Sequence, residues 1–267
     1  MPEDNMNIVV CIKQVPDAES VKWDHEKGTL IRDGVQSVIN PFDYNAIEAA
    51  LSLKDKLGGK VTAVTMGPPQ AQDAIREAMS MGVDEGVVVS DRAFAGADTL
   101  ATTYTLSRAI QKIGQVDAVF CGKQAIDGDT AQVGPGLAVR LDIPCVTCVG
   151  EMEILGGGKG LRVKRMCEQG YDVVEVGFPV LLTVLATLNT PRVPSLKGKM
   201  RAKKLDIPLW SAEDIGAEKE RIGLSGSPTK VFSTHIPKFE ARREMLEGTV
   251  EEQVEALVQK LKEAGII

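Results

Sequence analysis

The chain has 267 residues, 43% of them hydrophobic and 25% charged, with a formal net charge of -6 at pH 7. That is enough chain for one large domain or one domain with an appendage, and the acidic balance argues against general nucleic-acid binding. No apolar run reaches the ~18 residues of a membrane span; the start MPEDNMNIVV is neither a secretory signal nor an Arg-rich transit peptide, so the cytoplasm is the expected compartment.

In chain order, NIVVCIKQV (7–15) is a short apolar run rich in β-branched residues and predicts a buried first strand, ended by Pro16 and Asp17. A polar stretch follows, with a β-excursion expected around GTLIRDGV. NPFDYNAIEAALSLKDKLGG (40–59) predicts a helix, with Asp43 as its N-cap, Ile47, Ala50, Leu51 and Leu57 on one face, and Gly58-Gly59 as its stop. KVTAVTM (60–66) is a second strand. QAQDAIREAMSMG then carries an apolar stripe of Ala71, Ala74, Ile75, Ala78 and Met79. GVVVS (86–90) is a third strand, ADTLATTYTLSRAIQKIG a third helix and VDAVFC (116–121) a fourth strand, followed by a glycine-bearing loop and another helix. Four rounds of strand and helix, with strands apolar throughout, predict an α/β fold: three αβα layers around a mainly parallel, doubly wound sheet.

After residue 143 the pattern changes. CVTCVGEMEIL, GGGKG and LRVKRMCEQGYDVVEVGFPVLLTVL predict an antiparallel β extension around a glycine turn. NTPRVPSLKGKMRAKKLDIPLW is Pro-punctuated and basic without periodicity, and is expected to be an extended arm. GTVEEQVEALVQKLKEAGII predicts a helix, with Thr249 and Glu252 in a capping-box spelling and a stripe of Val250, Val254, Leu257, Val258 and Leu261. The expected organisation is an α/β domain over 1–187, the basic arm over 188–235, and a helical tail over 236–267 that packs on this core or on a partner.

The five cysteines are expected mostly as buried thiols. Cys145 and Cys148, three apart on a strand, point to opposite faces and suit neither a disulfide nor a metal. The two histidines, His25 and His235, are far apart, which argues against a zinc site or a His-based triad.

Ligands of open parallel sheets bind beyond the carboxyl ends of the strands. Four segments converge there: 11–17, NPFD (40–43), TMGPP (65–69) and GKQAIDGDTAQVGPG (122–136). The last offers glycines for close approach, the Thr130 hydroxyl, Lys123 and a helix N-terminus suited to phosphate. It lacks both the Walker-type and the G-x-G-x-x-G spellings. If the helix begins at Asp129, with Gln132 as its N3 partner, Pro135 kinks it; if it begins near Gly134, Pro135 is tolerated and 128–133 form a free backbone cradle. The other reading of the loop is a structural turn whose aspartates cap the helix.

GKQAIDGDTAQVGP closely resembles the nucleotide loop of electron-transfer flavoprotein beta subunits. The resemblance spans nearly the whole chain, through VVCIKQVPD, VINPFDYNAIEAAL, AVTMGPPQAQDAIREAMSMGVD and TLNTPRVPSLKGKMRAKK in the same order and spacing. It implies a heterodimer with an alpha subunit that carries an electron-transferring FAD, the beta subunit holding a second adenine nucleotide. In one branch this is structural AMP. In the bifurcating branch it is a second FAD, reduced by NADH, that sends one electron to ferredoxin or flavodoxin and the other, through the alpha-subunit FAD, to a flavin-dependent partner dehydrogenase. Such a subunit acts as an oxidoreductase only within its complex.

Position by position, the resemblance implies nucleotide contacts from Cys11, Asn40, Pro41, Phe42, Asp43 and Met66. It implies them also from Lys123, Gln124, Ala125, Ile126, Asp127, Gly128, Asp129, Thr130, Ala131, Gln132, Val133 and Gly134. The small Gly128 and Ala131 and the VGP ending resemble the bifurcating branch, so FAD is expected over AMP. The basic arm corresponds to the dehydrogenase recognition loop, with Leu196 as apolar anchor among Lys197, Lys199 and Arg201. No side chain is assigned as acid or base, since flavin chemistry belongs to the cofactor. A stand-alone ATP-binding protein is the alternative from a different class, and it would need a catalytic phosphate motif.

Overall fold

The computed structural model describes residues 6–17, 22–24, 29–31, 37–233 and 243–267. His25, His235 and residues 32–35 of the expected β-excursion lie outside them. Two compact units are present, Met1–Lys230 and Val231–Ile267.

The first unit begins with β1 (Asn7–Cys11), β2 (Gln14–Pro16), β3 (Lys22–Asp24), β4 (Thr29–Ile31) and β5 (Ser37–Ile39). It continues through α1 (Pro41–Leu57), β6 (Lys60–Met66), α2 (Gln72–Met81), β7 (Glu85–Val89), α3 (Thr99–Ile113), β8 (Ala118–Gly122) and α4 (Val133–Leu141). Then come β9 (Cys145–Ile154), β10 (Gly160–Cys167), β11 (Gly170–Gly177), β12 (Val180–Val184), α5 (Leu196–Lys204) and β13 (Leu209–Trp210). The second unit contains α6 (Val250–Glu263), whose Thr249 and Glu252 form the expected capping box.

Among the described residues nine strands make one sheet in the order β11-β10-β9-β12-β8-β1-β6-β7-β13. From β9 to β13 the neighbours run parallel, and β9-β10-β11 form an antiparallel ribbon at one end. The two-residue period of a strand sorts side chains onto opposite faces. Ile8, Val10, Phe120 and Leu182 face a core completed by α1 and α2, while Val9, Cys11, Val119 and Leu181 face one completed by α3 and α4. Helices therefore cover both faces, which gives the expected three-layer α/β architecture.

Several expectations need correction. The first strand stops at Cys11, and Gln14–Pro16 form a separate strand paired with β5. Helix α1 is capped at Asn40, with Pro41 at N1, so Asp43 is the third helical residue and not the cap. VLLTV, read above as part of the antiparallel extension, is β12, a parallel strand inserted between β8 and β9. Its unbroken burial explains the absence of alternation in its sequence. The basic arm is not wholly extended, because residues 196–204 form α5, capped by Ser195. Of the cysteines only Cys11 and Cys121 are buried; Cys145 is exposed, and Cys148 and Cys167 are half-buried. Cys148 also has a φ of 57°, which breaks the regular side-to-side alternation assumed for CVTC.

Phe120, fully buried beneath α1, is the largest fully buried side chain among the described residues. Phe120→Ala is expected to lower unfolding free energy by about 3–5 kcal/mol, measured by chemical denaturation.

Candidate functional site

Strand β1 lies between β6 and β8, and the chain leaves it towards β6 and β7 on one side before returning to β8 and β12 on the other. This reversal opens a crevice at the carboxyl ends of β1 and β8, where α/β sheets hold ligands. Cys11 ends β1 in register with Cys121, the penultimate residue of β8, and the 123–132 loop leaves from Gly122. The Cys11 thiol and burial together push the Cys121 pKa up, so Cys121 is a neutral thiol beneath the crevice.

Helix α4 begins at Val133, with Pro135 in its first turn. The second of the two starts considered above is thus the one adopted, and the loop ahead of the helix is free backbone. Asp129 and Ala131 both have φ of 53°, left-handed values in residues that carry a Cβ. Each costs about 1–2 kcal/mol of local strain relative to ordinary backbone. The Asp129 amide donates to Ala125 O at 2.8 Å. The next four amides, those of Thr130, Ala131, Gln132 and Val133, donate to no acceptor among the described residues. Consecutive outward N–H groups around left-handed residues, at a helix N-terminus, make an anion cradle. A Cβ placed on Gly128 meets nothing within 4 Å, so this glycine is not required by the protein's own packing.

The two loop aspartates are accounted for by partners not anticipated from sequence. Both oxygens of Asp127 accept from Lys13 Nζ at 2.7 Å. Asp129 accepts from the Gln124 side-chain amide. Neither caps α4, and Gln132 instead contacts the Thr99 hydroxyl at 2.9 Å. Lys13 was missed as a site residue; its place two residues beyond the end of β1 was the available signal.

The NPFD segment supports the loop from below. Asn40 Nδ2 donates to Gln124 O at 2.9 Å, and Asn40 Oδ1 accepts from the Ile126 amide at 3.0 Å. Asp43 is 5% exposed and takes the Lys13 amide at 2.7 Å and Asn40 Nδ2 at 3.0 Å. Burial pushes its pKa up to about 7, opposed by the N–H groups of Asn40, Lys13 and Gly122 and by the Lys13 charge. A Cβ on Gly122 would lie 2.3 Å from Asp43 Oδ1 and 2.7 Å from Phe42 Cβ, so glycine lets α1 seat against β8. Gly134 similarly faces Thr183 on β12. Met66 ends β6 and packs with the Val9, Cys11 and Val64 side of the core. On the neighbouring ribbon, Arg165 holds Thr147 Oγ1 at 3.2 Å, and its buried Nε has no protein partner. A cradle of free amides and an open space at Gly128 suit an anionic nucleotide.

The basic segment sits elsewhere, against α2. Arg201 donates to Met79 O and Val83 O at 3.0 and 2.5 Å, and Arg192 pairs with Glu48 and Asp55, both at 2.8 Å. Burial alone would raise the Glu48 pKa, but the Arg192 guanidinium holds it below its ordinary value. These two cations fasten the segment to the domain. Lys197 and Lys199 are exposed, and Leu196 is 77% exposed beside them.

A family model described as electron transfer flavoprotein domain matches residues 27–215. Over 98% of its length the chain is 52% identical to the complete electron transfer flavoprotein subunit beta of Thermoanaerobacterium thermosaccharolyticum. This chain belongs to the electron transfer flavoprotein beta-subunit family. It is also 50% identical, over 98% of its length and the whole of theirs, to electron transfer flavoprotein subunit beta of Clostridium acetobutylicum and to the caffeyl-CoA reductase-Etf complex subunit CarD of Acetobacterium woodii. Membership in the electron transfer flavoprotein family brings an association with flavin or AMP, and a beta subunit implies an alpha-subunit partner. Among the described residues no helix is long and apolar enough to cross a membrane.

Gly122 is a tight junction between the site and its scaffold. Gly122→Ala is expected to cost about 1–3 kcal/mol through displacement of the α1 N-terminus. Denaturation midpoints of the two proteins check this.

Proposed function

We propose that the chain is the small subunit of a bifurcating electron transfer flavoprotein, holding an FAD that is reduced by NADH. The electrons divide between ferredoxin or flavodoxin and, through the alpha-subunit FAD, a partner dehydrogenase. The observation that carries the nucleotide reading is the run of four amides at Thr130–Val133 with no protein acceptor. In this reading they receive the phosphates, and Gly128 leaves space beside them. Lys13 neutralises Asp127 and the Gln124 side-chain amide occupies Asp129, which leaves the cradle amides free for an anion. Asn40 fixes residues 124–126, and Cys11 and Met66 form the apolar floor. When bound, FAD supplies hydride acceptance and one-electron transfer, while the protein supplies position and field.

Likeness to a subunit of a caffeyl-CoA reductase complex favours an acyl-CoA-type dehydrogenase as the electron acceptor, with the complex in the cytoplasm. A non-bifurcating subunit with structural AMP is the second reading, because the same amide cradle serves either nucleotide.

The chain, purified with its alpha subunit, is expected to yield two flavins per heterodimer on extraction and to reduce ferredoxin with NADH when the dehydrogenase is turning over. One flavin with one AMP would overturn the bifurcating assignment.

Leu196, exposed among lysines on α5, is the proposed anchor for the dehydrogenase, with Lys197 and Lys199 steering the encounter. Arg201 holds α5 in place and contributes to this surface indirectly. Leu196→Ala is expected to raise the apparent KM for the dehydrogenase by about tenfold, the scale of a modest hot spot, with nucleotide content unchanged. Unchanged electron delivery would count against it.

A further inference from the structure

Asn40 and Asp43 lie at the start of α1, yet their side chains are committed to other segments. Asp43 Oδ2 takes the Lys13 amide, and Oδ1 takes Asn40 Nδ2 and faces Gly122. Asn40 makes three bonds at once: Nδ2 to Asp43 and to Gln124 O, and Oδ1 from the Ile126 amide. A half-turn of that amide would set NH₂ against the Ile126 N–H and oxygen against Gln124 O. A carboxylate only accepts, so it is compatible with the observed orientation alone. A carboxylic acid carries a donor of its own and lacks the charge that strengthens the bonds from the Lys13 amide and Asn40 Nδ2, so both weaken.

We propose that Asp43 is the positioning residue of the nucleotide loop: its carboxylate, acting through Asn40, orders residues 124–126, and a proton on it releases them. The proposal rests on the nucleotide reading only for what the loop holds, and not for the clamp itself.

Burial places the titration near neutrality, at about 7. The charged and titratable groups facing Asp43 are the Lys13 ammonium, itself paired with Asp127 in the loop, and the free Cys121 thiol on β8, which lies against the Cys11 thiol. Since the folded-state value lies above the ordinary 3.8, folding favours the neutral acid. The contribution of Asp43 to global stability is therefore fully present below about pH 4 and falls as pH rises towards 7. Loop order moves the opposite way, rising as the carboxylate ionises. General acid unfolding would loosen both together.

Hydrogen exchange on the full-length chain, corrected for intrinsic rates, reads the clamp at the Ile126 and Lys13 amides, with and without AMP as probe. Without AMP, protection of both amides is expected to fall from pH 8.5 to 5.5 with a midpoint near 7, approaching about tenfold per pH unit on the acid side. Amides of the β1–β6 ladder serve as level controls. Asp43→Asn is expected to show low, flat protection. Flat protection in the unmodified chain, or an unchanged profile in Asp43→Asn, would overturn the proposal. If Asp43→Asn does not fold, Asn40→Ser serves: Ile126 should lose protection at every pH while Lys13 keeps its profile, and retained Ile126 protection would sink the clamp. AMP is expected to add more protection at pH 8 than at pH 6. An AMP-free profile with no AMP effect would support the clamp while refuting the nucleotide reading.

Discussion

A parallel sheet must be buried on both faces, and this molecule is organised by that demand at one strand. β1 is flanked by parallel neighbours on each side, and the chain departs from it in two directions. No helix can cover the gap between departures, so the strand ends there stay open. Every candidate nucleotide-site residue is placed by this constraint, on β1, at the N-terminus of α1, on β6, or on the loop after β8 and the first turn of α4.

Within that crevice the problem is electrostatic. In the proposed reading, a loop with two carboxylates receives a ligand that is itself an anion. The chain resolves this with local pairing and with backbone. Asp127 is matched by Lys13, Asp129 by a side-chain amide, and the cradle that remains consists of peptide N–H groups. Peptide dipoles carry no mobile charge and need no rearrangement when a ligand arrives, which is the property a rigid anion site needs. The left-handed strain at Asp129 and Ala131 aims those amides outward, and it is supported by the burial of α1, β8 and α4 around the loop.

Much of the fold was legible because its signals are local. β6, α2, α3 and the capping box of α6 show clear periodicity or end chemistry in sequence. What could not be read depended on partners remote in sequence. VLLTV is as apolar in a ribbon as in a sheet centre, and only its neighbours β8 and β9 distinguish the two. α5 was hidden because its helical residues are mostly Lys, Arg and Gly, and its stability comes from Gly198 fitting against Ser80 O and from Arg201 bonding the end of α2. In the site, the segments were found by topology and resemblance, but the Lys13–Asp127 pair and the Asp43–Asn40–loop chain link residues up to 114 positions apart. A single sequence has no signal for such pairs. The place of Gly128 also changed in kind: its backbone is ordinary and its surroundings are empty, so its value lies in leaving room and not in making a turn.

The late insertion of β12 has a consequence for how the protein is made. β8 is synthesised before the entire β9–β11 ribbon, yet its second neighbour is β12, which follows that ribbon. A nascent chain therefore carries the site-bearing strand with one edge open until residue 184 has emerged. The ribbon must meanwhile hold itself together as an antiparallel hairpin set, able to form from contacts close in sequence. Any ribosomal stall within residues 123–179 leaves an apolar strand with one unpaired edge, a species prone to illegitimate pairing with another chain.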